Sequence, residues 1–164
     1  MPILRLDIGC GLHTKEPLDE WIHLDCDEGP HIEWVTDFAD IPTGDETVDE
    51  IWIGDVIEHI PAWRNVEVMK EWCRVLKPGG KLNGTTPSLD YNVKQYVAGK
   101  ITQEWLIQNL YGDRAGYPHQ HYILYTKDTL AAFLQLHGFT NIDFSGSPGP
   151  PSLPWWLVFE AYKA

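Results

Sequence analysis

The sequence predicts an α/β fold built on a mostly parallel sheet. Short apolar runs end repeatedly in an acid or a glycine, as strands do whose C-terminal ends face a ligand crevice. Stretches of helical period separate the later runs, and the last two runs are joined by a Gly/Pro-rich loop.

The first strand is residues 3–8, ILRLDI, stopped by the glycines of Gly9-Cys10-Gly11. Residues 21–25 (WIHLD), 33–37 (EWVTD) and 48–54 (VDEIWIG) supply three more strands. A helix is expected from Pro61, with proline in its first turn and Val66, Met69, Trp72, Cys73 and Leu76 on its apolar face. Pro78-Gly79-Gly80 is expected to stop it before a fifth strand over 81–86. Residues 93–99 and 101–110 are expected to be helical, and 112–122 a loop. A clear helix runs over 127–137, with Leu130, Phe133, Leu134 and Leu136 inward and Gly138 as its C-terminal cap. Residues 139–144 form the sixth strand, and 155–162 a last one antiparallel to it. In such a sheet, chemistry belongs at the carboxyl ends of the first four strands.

With 164 residues, 43% of them hydrophobic, the chain fits one domain over 1–164 with a real core. Twelve Lys and Arg against 24 Asp and Glu give a net charge of −12. That balance argues against nucleic acid and against anionic membranes, and favours a small-molecule partner. The longest apolar run, 155–159, cannot span a bilayer, and the N-terminus has no signal-peptide pattern, so the expected location is the cytoplasm. Cys10, Cys26 and Cys73 are odd in number and lack metal-ligand spacing, as free thiols of a reducing compartment would.

Gly9 and Gly11 let the backbone turn sharply and approach a ligand closely. A dinucleotide fingerprint would need a third glycine where Thr14 stands. Asp25, at the end of the second strand, is placed to accept from ribose hydroxyls, with Asp27 as the alternative. Asp37-Phe38 offers an acid for an exocyclic amine and a ring for a purine.

Taken in order, Asp7-Ile8-Gly9-Cys10-Gly11, Leu24-Asp25, Asp37-Phe38-Ala39-Asp40-Ile41-Pro42, Val48-Asp49-Glu50-Ile51, Ile57-Glu58-His59-Ile60 and Leu76-Lys77-Pro78-Gly79-Gly80 resemble the class I S-adenosylmethionine-dependent methyltransferases, most closely their small type 11 branch. The resemblance spans about residues 3–86. It implies a Rossmann-like seven-stranded sheet whose antiparallel last strand is inserted between its neighbours. It implies S-adenosylmethionine as cofactor, with Asp7, Gly9, Cys10 and Gly11 at its methionine end and Asp25 on the ribose. Asp37 and Phe38 would meet adenine, and Gly54 and Asp55 would lie beside the sulfonium.

The chain also departs from that pattern. Nine residues separate Gly11 from Trp21, room for about one helical turn, and 26–32 leave little space for a second helix. The usual helix before the first strand is missing as well. One sheet face is therefore expected to be thinly covered, to be sealed by the chain's own eight tryptophans, a second copy or a partner subunit on a Trp-rich surface. The acceptor site must come mainly from an insert or lid over 87–126.

Methyl transfer to an oxygen or nitrogen of a small-molecule or sugar-like acceptor is the expected reaction. A base for a high-pKa oxygen would come from His121, His59 or Asp55, with His119 a further candidate, and His121 favoured because it lies in the lid. His119-Gln120-His121 lacks an evident third ligand, so no metal is expected. Lys15 is a candidate partner for the cofactor carboxylate. Two alternatives stay open: a catalytically silent binding or assembly subunit, and a nucleotide-binding oxidoreductase.

Overall fold

The computed structural model describes residues 3–11, 15, 17–112, 119–146 and 154–164. The seven expected strands all form: β1 (Arg5–Ile8), β2 (Ile22–Asp25), β3 (Trp34–Val35), β4 (Val48–Gly54), β5 (Leu76–Pro87), β6 (Phe139–Asp143) and β7 (Trp156–Lys163). They make one sheet in the order β3-β2-β1-β4-β5-β7-β6. β1 to β5 pair in parallel, and β7 runs antiparallel between β5 and β6. Among the described residues, four α-helices accompany the sheet: α1 (Asn65–Val75), α2 (Leu89–Val97), α3 (Gln103–Tyr111) and α4 (Lys127–Leu136).

Local chemistry moves several boundaries. α1 starts four residues later than Pro61, because Arg64 first donates its N–H to the Pro61 carbonyl and closes a separate turn. Its last turn passes directly into β5, where Leu76 already pairs with Val48; a register shift follows before Lys81 faces Glu50. α2 begins earlier than expected because the Ser88 hydroxyl caps it, accepting from the Tyr91 N–H. α4 opens on a reciprocal Thr126–Thr129 capping box, and Gly138 follows its end at φ +90.

Register sorts the two faces. Leu6, Ile8, Ile51, Ile53, Leu82, Phe159 and Ala161 share one, and all are buried. Val68, Met69, Trp72 and Val75 of α1 and Leu130 and Leu134 of α4 complete that core. The other face carries Arg5, Glu50, Trp52, Lys81, Asn83, Glu160 and Tyr162, all partly exposed. Here the covering is thin, as the short connections require. Between β1 and β2 the described residues hold only a 3₁₀ turn over Leu18–Glu20, and none of residues 26–33 is helical.

Ionic pairing replaces the missing layer. Glu50 accepts from Lys81 Nζ at 2.7 Å and from Asn83 Nδ2 at 2.9 Å, and it lies 3.3 Å from Arg5 Nε. Arg5 also reaches Glu20 at 2.7 Å. Parallel sheets are ordinarily covered on both sides, so this half-wetted face is a departure that its alternating polar residues make tolerable. Among the described residues, no helix is long and apolar enough to cross a membrane.

Candidate active site

The end of β1 leads into the glycine turn. Gly9 donates its N–H to the Leu24 carbonyl at 2.7 Å and sits at φ +67. A Cβ there would stand 2.6 Å from Val56 Cγ2, so both the conformation and the space require glycine. Gly11 donates to Asp25 Oδ2 at 2.8 Å, and the Asp27 N–H donates to Asp25 Oδ1 at 3.0 Å. The Asp25 carboxylate is thereby oriented while each oxygen keeps further acceptor capacity.

These groups line a hollow of about 300 Å³ at the carboxyl ends of the strands. Gly9, Gly11, Asp25, Asp27, Phe38 and Asp55 are on its wall, as are Cys26, His59 and His119. Cys26 is exposed, and its thiol is pushed up to about 11, first by desolvation and then by Asp25 and Asp27.

Five residues expected to meet the cofactor, Asp7, Cys10, Lys15, Asp37 and Gly54, are not on the wall of this hollow. Asp7 is buried behind the turn, where Oδ2 accepts the Lys15 N–H at 2.6 Å and lies 3.0 Å from His23 Nδ1. Burial raises its pKa, with the Lys15 and His23 contacts acting the other way. Asp7 therefore shapes the loop from beneath. Asp37 is held by Arg64 through two 2.8 Å bonds and accepts the Ala39 N–H, away from the wall that Phe38 reaches. Gly54 ends β4 just short of the hollow. Lys15 places its ammonium 3.5 Å from the centre of the Trp52 ring, on the half-wetted face, and not in the hollow. Cys10 is buried and points its Sγ at the Leu24 carbonyl, with its thiol pushed up to about 12 by desolvation, Asp7 and Asp25.

Asp55 follows Gly54 at φ +53, an uncommon conformation for a residue with a side chain. Its N–H is fixed to the Thr85 carbonyl and its Oδ1 accepts the Thr85 hydroxyl at 3.3 Å. Desolvation pushes its carboxyl up to about 6. Asp55 belongs to two hollows, because a second, of about 390 Å³, adjoins the first there. The second is walled by Gln108, His119, His121, Trp155 and Trp156, with Glu58 and His59 at its base.

Glu58 is the residue that sequence reasoning missed. It is fully buried; Oε2 accepts the Thr86 hydroxyl at 2.9 Å, and Oε1 has no hydrogen-bond partner among the described residues. Burial, then the nearby Asp55, raises its pKa well above the ordinary range. The available signal was an acid directly before His59 at a strand end. His59 Nδ1 lies 3.1 Å from the Gln120 carbonyl, and His121 Nδ1 lies 2.8 Å from the Asn109 carbonyl. Their rings meet edge to face at 4.7 Å. The Tyr122 N–H donates to the Glu58 carbonyl, tying the two segments together. Gly112, at φ +66, permits this approach: a Cβ would come 3.0 Å from His121 Cδ2.

Residues 6–83, just under half the chain, match a family model described as a methyltransferase domain. No curated protein matches by sequence. The Burkholderia thailandensis 1,6-didemethyltoxoflavin-N1-methyltransferase, solved with 1,6-didemethyltoxoflavin and S-adenosylhomocysteine, superposes with a TM-score of 0.67 at 16% identity, over 99% of this chain and 72% of its own. An Archaeoglobus fulgidus S-adenosylmethionine-dependent methyltransferase gives 0.64 at 16% identity, over 98% and 86%. The chain complexed with a Haloferax volcanii methyltransferase activator gives 0.62 at 16% identity, over 99% and 84%. At these identities the likeness is one of fold. The family match speaks against the oxidoreductase alternative.

Proposed function

We propose that this chain is a class I S-adenosylmethionine-dependent methyltransferase, acting on an oxygen or nitrogen of a small-molecule or sugar-like acceptor. The observation that carries this reading is the junction of two hollows at Asp55, His59 and His119. One hollow has the features of a cofactor cradle and the other those of an acceptor site.

The cradle fits the cofactor chemically. Its glycine turn lines the hollow with backbone alone, and Asp25 offers oriented acceptors for two ribose hydroxyls. Phe38 presents an apolar wall for adenine, and the Arg64–Asp37 pair holds the turn that carries it. When bound, S-adenosylmethionine supplies an electrophilic methyl group on a positively charged sulfur. Asp55, between the two hollows, is placed to accept a hydrogen bond from the acceptor and hold it in line.

Residues 87–126 act as the acceptor lid in this reading: α3 contributes Gln108, and the segment after it contributes His119 and His121. Trp155 and Trp156 supply flat walls, which suit sugars, phenols and nitrogen heterocycles. The small heterocycle bound to the Burkholderia relative supports that size class. The net charge of −12 keeps nucleic acid and anionic membranes out of the reading. A partner subunit has its support in the Haloferax complex; Trp155 and Trp156, expected on a docking surface, line the acceptor hollow.

Calorimetry with S-adenosylmethionine and S-adenosylhomocysteine tests the cradle, and micromolar binding is expected. Release of S-adenosylhomocysteine with a panel of phenols, sugars and heterocycles tests the acceptor site. Absence of binding overturns the reading. Binding without turnover on any acceptor class would favour a silent binding subunit.

A further inference from the structure

We infer that Glu58, His59 and His121 form a site for one divalent transition-metal ion that opens into the acceptor hollow. One ligand atom from each residue lies within 4.8 Å of the others. A single ion with ligand bonds of about 2.0–2.2 Å accommodates such a set after small side-chain adjustments.

The surroundings favour ligation. Each histidine turns Nδ1 toward a backbone carbonyl, which can only accept. Nδ1 must therefore carry the proton, and the lone pair of each neutral ring belongs to Nε2. Fixing the tautomer of a ligating histidine through its other nitrogen is what outer partners of metal sites do. Glu58 brings a second, independent sign. A fully buried carboxylate with one unpartnered oxygen is costly unless a cation or donor completes it.

The three ligands also rest on a braced frame. Glu58 and His59 belong to a 3₁₀ turn after β4, while His121 follows α3 across the hollow. The Tyr122-to-Glu58 backbone bond and the His59 contact with Gln120 hold these segments together. Two imidazoles and one carboxylate suit Mn²⁺, Fe²⁺, Co²⁺ or Zn²⁺ better than Mg²⁺ or Ca²⁺, which prefer oxygen-only shells.

The sequence offers no evident third ligand for His119-Gln120-His121, and no metal is expected from it; the fold instead sets His121 beside Glu58 and His59, from a distant stretch of chain. All three residues line the hollow that also holds Gln108 and His119. An acceptor oxygen entering there would be oriented and polarised by the ion. That role rests on the methyl-transfer reading; the binding of metal does not. His59 and His121 are then ligands, and not the bases that sequence reasoning expected.

The test is titration of the chelator-treated chain with Co²⁺ and Mn²⁺, followed by calorimetry and visible absorption. One equivalent is expected to bind, with visible cobalt d–d bands and no thiolate charge-transfer band. His59→Ala and His121→Ala should each weaken binding about tenfold or more. Glu58→Gln, close in shape, should do the same, and thermal melts of all three report on folding. No binding by the parent chain overturns the inference, as does an affinity unchanged in both histidine variants. A thiolate band also overturns it, because it would put the ion at Cys10 or Cys26. S-adenosylhomocysteine binding by the metal-free chain keeps the methyl-transfer reading while metal binding fails; the converse pattern removes that reading alone.

Discussion

Gly11 donates its backbone N–H to the Asp25 carboxylate at 2.8 Å, joining the glycine turn to the end of β2. The group expected to recognise ribose thus also shapes the loop beside it, since Asp25 accepts the Asp27 N–H with its other oxygen. Asp25→Ala should weaken S-adenosylhomocysteine binding by ~1.5–3 kcal/mol, the range for hydrogen bonds to a charged group. Asp25→Asn, which keeps one carbonyl acceptor, should lose less. Calorimetry checks both, and unchanged affinity in Asp25→Ala would move the ribose contact to Asp27.

Gly9 faces two separate constraints, a left-handed backbone and the 2.6 Å approach of Val56 to the place a methyl group would take. Gly9→Ala should cost about 1–3 kcal/mol of stability and reduce cofactor affinity. Adding Val56→Ala removes the clash but not the φ penalty, so the double variant should recover cofactor affinity only in part. Denaturant melts and calorimetry separate these contributions; full recovery would show that the backbone conformation carries no cost.

Cys26 combines exposure, a position on the cofactor hollow and a thiol pushed up to about 11. Its thiolate is scarce at neutral pH and grows about tenfold per unit as pH rises toward that value. Alkylation of Cys26, followed by peptide mass spectrometry, should therefore accelerate steeply from pH 7 to 9. Saturating S-adenosylhomocysteine should slow it at every pH. A flat profile would mean that desolvation and the neighbouring acids do not suppress the thiolate.

Glu71 accepts the Ile41 N–H at 2.8 Å and pairs with Arg74 at 2.7 Å, and Arg74 is the main cause of its lowered pKa. A depressed carboxylate stabilises the fold above its unfolded-state pKa, about 4.3, and that contribution disappears as pH falls through the folded value. Glu71→Gln should melt lower than the parent at pH 6 by no more than about 1 kcal/mol, because Arg74 is a third exposed. The gap should narrow as pH falls below about 4.3 and close once Glu71 is protonated in the folded state; a gap that persists would assign the effect to the Ile41 contact.

Strand number, the inserted antiparallel β7 and the glycine turn were legible because each rests on local pattern or on motif order. The thin sheet face was legible too, since loop length alone forbids helices after β1 and β2. What escaped depends on side chains meeting across the fold. Nothing near Asp37 announces that Arg64, twenty-seven positions on, will occupy its carboxylate. Asp7 opens the Asp7-Ile8-Gly9-Cys10-Gly11 motif but faces the sheet side where His23 and Lys15 meet it. Glu58 looked like an ordinary acid because its burial comes from β5 and from the segment after α3, both distant in sequence.

The row of Arg5, Glu50, Lys81 and Asn83 has a further bearing on how this architecture tolerates abbreviation. Once alternate positions of the central strands end in charged or amide tips, water itself serves as the second layer. Two connecting helices then become dispensable, and the carboxyl edge of the sheet keeps its alignment without them.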